Sequence, residues 1–124
     1  MQNIIPKLTI PIIANIVTDA AQTCSHIEAV GLVGSYARGE SKPISDVDLI
    51  IKTNGDAKFQ EAIESFGEYV RHVLDYQFNK RLDIIRYDLV CDRANRNPRA
   101  NETWFYREGF QQMMKEVNWL YEKG

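Results

Sequence analysis

The run Ala29-Val30-Gly31-Leu32-Val33-Gly34-Ser35, followed ten residues later by Ser45-Asp46-Val47-Asp48-Leu49-Ile50-Ile51, decides the fold. Five apolar residues that stop at Gly-Ser read as a buried strand leaving its sheet through a tight turn. If Ser35 to Gly39 forms a short helical turn, its first backbone N–H groups lack carbonyl partners and favour an anion. In the second half, Val47, Leu49 and Ile51 alternate with Asp46, Asp48 and Ile50, the period of a strand over Asp46 to Lys52. Residues two apart share a face, so Asp46 and Asp48 project together, roughly 7 Å apart along the backbone. Two carboxylates on one face repel each other unless a cation lies between them. Hard oxygen donors of this kind suit Mg2+ or Mn2+, with substrate phosphates completing the shell. A phosphate turn beside a divalent-metal site predicts chemistry on a nucleoside triphosphate.

Outward from this stretch, the chain alternates helices and strands. Pro11 opens a helix whose apolar stripe runs Ile13, Ile16, Val17, Ala20, Ala21, Cys24. A first strand covers 28–33. After the turn Thr53-Asn54-Gly55, a second long helix is marked by Phe59, Ala62, Ile63, Phe66, Val70 and Val73. Asn79-Lys80 ends it, and 81–87 reads as a third strand. The polar, Pro98-containing segment 92–101 reads as loop. From about 102 to 123 the apolar residues Phe105, Phe110, Met113, Met114, Val117, Leu120 and Tyr121 predict a C-terminal helix. Its apolar width leaves surface for a partner protein or a second copy of the chain. The fold class is α/β, a small mixed sheet packed with helices in one domain spanning 1–124.

The motif resembles the signature of the DNA polymerase beta-like nucleotidyltransferase superfamily: an apolar strand, Gly-Ser, then Asp-apolar-Asp-apolar. The fuller Gly34-Ser35-Tyr36-Ala37-Arg38-Gly39-Glu40, with Ser45 before Asp46, is similar to its minimal nucleotidyltransferase branch, short proteins often paired with a helical HEPN protein. The likeness is specific over 29–51 and weaker through Asp83 and Arg107-Glu108-Gly109. It implies a nucleotidyltransferase fold in which two metal-binding aspartates are joined by a third acid on a later strand. It also implies an antitoxin-like enzyme that moves AMP from ATP to a tyrosine of a partner HEPN toxin. The alternative is a non-catalytic nucleotide-binding module that neutralises a partner by direct binding.

The residue-level expectations follow. Asp46 and Asp48 hold two Mg2+ ions. Ser35 donates to the terminal phosphates while Gly34 lets the backbone approach, although Ser35 as a plain helix N-cap is compatible with both. Asp83, the only acid among apolar Leu82, Ile84 and Ile85, is the first candidate for the third carboxylate, with Asp88 next and Asp75 near a helix end. Arg38 reaches a phosphate or braces the aspartates, and Ser45 orients the Asp46 region. The basic residues between Lys80 and Arg107, with Tyr87, Trp104 and Tyr106, contact a triphosphate, an RNA or an acidic partner, or form a solvated loop. His26 and His72 are ordinary structural or surface histidines.

Composition narrows the classes. A chain of 124 residues with 44% apolar residues has enough for one core, and a net charge of −2 favours neither wholesale nucleic-acid binding nor membrane attraction. Cys24 and Cys91 lack metal-ligand spacing and read as buried thiols suited to a reducing cytoplasm. No signal peptide or membrane span is expected.

Overall fold

The computed structural model describes residues 7–24, 26–42, 44–53, 59–86 and 110–123. Helix α1 (Ile10–Gln22) turns Ile13, Val17, Ala20 and Ala21 inward, and Pro11 falls in its first turn, where the missing N–H costs no helical bond. Strand β1 (Ile27–Val33) is buried along nearly its whole length. A four-residue helix α2 (Gly34–Ala37) links it toward β2 (Val47–Thr53). The 20-residue α3 (Phe59–Phe78) buries Ile63, Phe66, Val70, Leu74 and Phe78 at the three- and four-residue spacing of one stripe. Strand β3 (Leu82–Arg86) follows, then a short helix α4 (Phe110–Glu116) and strand β4 (Asn118–Glu122).

The four strands form one sheet in the order β3-β2-β1-β4. Strand β1 runs antiparallel to both β2 and β4, while β2 and β3 are parallel and joined through α3, so the sheet is mixed as expected. With β1 and β2 in the centre, their side chains need apolar surroundings on both faces, hence the near-continuous apolar runs. Val30, Leu32, Val47, Leu49 and Ile51 pack with α1 and α3 into the main core. Val33 and Ile50 face the other way, against Ile85, Met113, Met114, Val117 and Trp119.

The C-terminal segment differs from the predicted helix. Helix α4 ends at Glu116, and Asn118–Glu122 forms a strand on the outer side of β1. The expected helix start near 102 lies outside the described residues. Trp119, Leu120 and Tyr121 are good strand formers or neutral, and the open edge of β1 offers them backbone partners that an isolated helix end lacks. The register shifts between Val30 and Gly31, where Gly31 opposes Trp119. A side chain at Gly31 would collide with Val117 Cγ2 and press to 3.0 Å from Trp119 Cε3. The absence of a Cβ at Gly31 is therefore what lets the α4–β4 corner close onto the sheet.

Candidate active site

The turn and the acids converge at one end of the sheet. Val33 is the register partner of Asp48 across β1 and β2, so Gly34 leaves the sheet beside the Asp48 carboxylate. Gly34 has φ +76°, a left-handed conformation that favours glycine, and a Cβ there would overlap Asp48 Oδ2. Any larger residue at 34 displaces the carboxylate. The N-cap of α2 is Val33, with no side-chain cap, so Ser35 lies within the first turn and does not cap it. Its carbonyl accepts the Glu40 N–H at 2.8 Å, closing the turn.

On the other side of β2, Asp48 is in register with Asp83 of the parallel β3, and the pairing continues outward where the Val47 N–H donates to the Arg81 carbonyl at 2.9 Å. Asp46 stands one residue before β2. Asp48 is half-buried and Asp83 exposed. Burial pushes the Asp48 carboxyl up from its ordinary 3.8 to about 6, reinforced by the charges of Asp83 and Asp46 and a hydrogen bond to Asp83, while Arg38 pulls the other way. The structure thus brings Asp46, Asp48 and Asp83 together as one electrostatic unit. Asp88 and the Arg107-Glu108-Gly109 stretch lie outside the described residues.

Arg38 donates from Nε to Glu40 Oε2 at 3.1 Å and lies 3.6 Å from Glu116 Oε2 on α4. Its guanidinium therefore ties α2 to α4 while remaining close enough to act on Asp48. Ser45 Oγ accepts the Lys42 N–H at 2.7 Å and the Ser45 N–H donates to the Lys42 carbonyl at 2.9 Å, which fixes the turn that delivers Asp46.

The acids open into a cleft of about 670 Å³ whose lining includes Asp46 and Asp83. Its far wall comes from α3 as Glu68, Arg71, His72 and Asp75. Of these, the sequence offers Asp75 only as a lesser candidate for the third carboxylate and His72 as an ordinary histidine, and does not single out Glu68 and Arg71. The available signal was spacing: positions 68, 71, 72 and 75 follow the three- and four-residue steps of one helix face, all of them polar. His72 also stacks on Tyr76, with ring centroids 6.0 Å apart; Cys24 is half-buried and not the buried thiol expected, and Cys91 lies outside the described residues.

Carboxylate oxygens are the donors a hard divalent cation prefers, and the repulsion from Asp83 and Asp46 that adds to burial in raising Asp48 is what such a cation would relieve. Among the described residues, no group of three or more His, Cys, Asp or Glu side chains is arranged to hold a metal by itself.

The family description "Nucleotidyltransferase domain" matches residues 12–108, and the chain belongs to that family. It is similar to the Methanocaldococcus jannaschii protein named "Putative protein adenylyltransferase MJ1379", with 26% identity over 72 residues. That match covers 58% of this chain and 64% of the relative, less than two thirds of its length. Among solved structures, a mutant of the MntA-HpeT toxin–antitoxin superposes with a TM-score of 0.54 at 12% identity, covering 89% of this chain and 73% of that one. A toxin–antitoxin solved with AMP-PNP gives 0.49 at 14% identity over 82% of this chain and 86% of that one. The shared fold is a nucleotidyltransferase fold.

Proposed function

We propose that this protein transfers AMP from ATP to a hydroxyl group on another protein. The observation that carries the reading is the placement of Asp48 between its register partner Asp83 and the Gly34 turn, with Asp46 alongside. Mg2+ or Mn2+ ions held by Asp46, Asp48 and Asp83 would supply charge neutralisation at the α-phosphate and at the departing pyrophosphate. Gly34 and Ser35 receive the terminal phosphates through their backbone N–H groups, the missing Cβ of Gly34 letting the Asp48 carboxylate lie beside the turn. Arg38 adds positive charge at the same edge. Asp83, exposed at the mouth of the cleft, accepts the proton of the attacking hydroxyl. The hydroxyl oxygen bonds to the α-phosphorus as the bond to the bridging oxygen breaks, and pyrophosphate leaves in line.

The acceptor we infer is a tyrosine of a HEPN-type toxin, with the protein acting as its antitoxin in the cytoplasm. The Gly34–Glu40 motif supports this, and so does the similarity to the Methanocaldococcus jannaschii protein named "Putative protein adenylyltransferase MJ1379". Incubation with α-labelled ATP, Mg2+ and the product of the adjacent reading frame tests the reading. Label should move to that protein with wild type and not with Asp48→Ala. Complex formation without label would instead favour neutralisation by binding, and label on RNA would favour a nucleic-acid acceptor.

A further inference from the structure

Helix α4 lies on the same side of the sheet as the acids. Its Met113 and Met114, with Val117 just beyond, pack against Val33 and Ile50, and by strand alternation Asp48 shares the face of Ile50. Gln112 and Glu116, one helical turn apart, are joined where Gln112 Nε2 donates to Glu116 Oε1 at 3.1 Å. The other carboxylate oxygen, Oε2, lies 3.6 Å from Arg38 Nη1. Arg38 in turn closes α2: its backbone N–H donates to the Gly34 carbonyl at 3.2 Å, and Gly34 leaves the sheet beside the Asp48 carboxylate. Four residues of helix advance only about 6 Å along the axis, so the Arg38 backbone stays close to the phosphate turn. Gln112, Glu116 and Arg38 thus form a chain of side chains from a packed helix to that turn.

The two carboxylates on Arg38 differ in what anchors them. Glu40 accepts from Arg38 Nε at 3.1 Å, but it is two residues away on the same exposed turn and moves with the residue it binds. Glu116 belongs to an element that Met113 and Met114 pin to the sheet. At 3.6 Å between partly exposed groups, the Glu116 contact contributes little to stability. Its effect is on direction. Nε and Nη1 are both engaged, whereas among the described residues Nη2 has neither a hydrogen bond nor an ion pair. A planar guanidinium held at two corners has its third corner set, and a charged, fixed donor of this kind suits a phosphate oxygen. We infer that Glu116 is a positioning residue: braced by Gln112, it holds Arg38 so that Nη2 meets a phosphate of the bound nucleotide. The inference rests on the nucleotide-binding reading above and adds a residue beyond the family match at 12–108.

Calorimetric titration of the full chain with the Mg2+ complex of a non-hydrolysable ATP analogue tests it, and the sign of the effect decides. Removing a negative charge near a triphosphate strengthens binding by simple electrostatics, whereas losing a brace on Arg38 weakens it. Arg38→Met should weaken binding by roughly tenfold, and Glu116→Ala by about three- to fivefold. In the Arg38→Met background, Glu116→Ala should weaken it no further, since the residue acts through Arg38. Glu116→Gln, which keeps an oxygen acceptor, should stay within about twofold of wild type, and all melting temperatures within about 2 °C. Glu116→Ala binding that is unchanged or tighter, an equal loss in both backgrounds, or a loss matched by a fall in melting temperature would overturn the assignment. If wild type binds no triphosphate, the nucleotidyltransferase reading falls and the role of Glu116 with it. If wild type binds and Arg38→Met binds equally well, the Glu116 inference alone falls.

Discussion

The two faces of the sheet carry different burdens. On one, Val30, Leu32, Val47, Leu49 and Ile51 disappear beneath α1 and α3 in a core that includes Phe66 and Leu74. On the other, Val33 and Ile50 meet only partly buried neighbours from α4 and β4. By the alternation of strand side chains, Asp48 shares the face of Ile50 and Asp83 that of Ile85. The carboxylates therefore stand on the thinly covered side, where their repulsion does not open the main core. Stability is concentrated on one face and the proposed chemistry on the other, so substitutions on the two faces should separate cleanly.

The largest expected effect is on the chemical side. Asp48→Asn should lower the rate of AMP transfer by roughly a thousandfold or more. The same variant should melt no lower than wild type in the absence of metal, because a carboxylate crowded by Asp83 and Asp46 has been removed. A large drop in melting temperature would break the proposed separation. Next comes the opposite face: Phe66→Ala, at a site 1% exposed, should destabilise the fold by about 3–5 kcal/mol in urea titration. Its residual activity should follow the folded fraction.

Gly34→Ala joins the two faces, since it strains a left-handed backbone and pushes on Asp48. A cost of roughly 1–2 kcal/mol and a disproportionate loss of activity are expected, measured together by thermal melting and label transfer. The smallest effect is pH dependence. The Asp48 carboxyl titrates at about 6 in the fold against an ordinary 3.8, so protonation stabilises the folded state more than the unfolded one. Stability from this group is fully present below the ordinary value and is lost as pH rises to about 6, then levels off. For a half-exposed side chain, solvent screening reduces this to about 1 kcal/mol. Urea titrations across that range in EDTA should show the decline in wild type and its absence in Asp48→Asn.

The sequence disclosed the site better than the tail for a physical reason. Strand β1, the Gly34 turn and Asp46–Asp48 are adjacent in the chain, and each leaves a local mark: an apolar run, a residue without Cβ, a period of two. Asp83 was legible only as an acid inside an apolar strand; its pairing with Asp48 depends on how α3 carries the chain across. The C-terminal segment misled because Met113, Met114, Val117, Leu120 and Tyr121 fit helical spacing, whereas the vacant edge of β1 decides the state of 118–122. Glu68 and Arg71 of the α3 wall escaped notice for a similar reason, since polar side chains on an amphipathic helix read as solvent-facing until a neighbouring strand end encloses them.

Asp46 and Asp48 are proposed to bind a divalent ion jointly with a nucleoside triphosphate. Electron paramagnetic resonance of Mn2+ titrated into the protein with and without ATP measures this directly. The account predicts tight Mn2+ binding only when ATP is present, and its loss in Asp48→Asn. Mn2+ binding that is indifferent to ATP, or that survives Asp48→Asn unchanged, would contradict it.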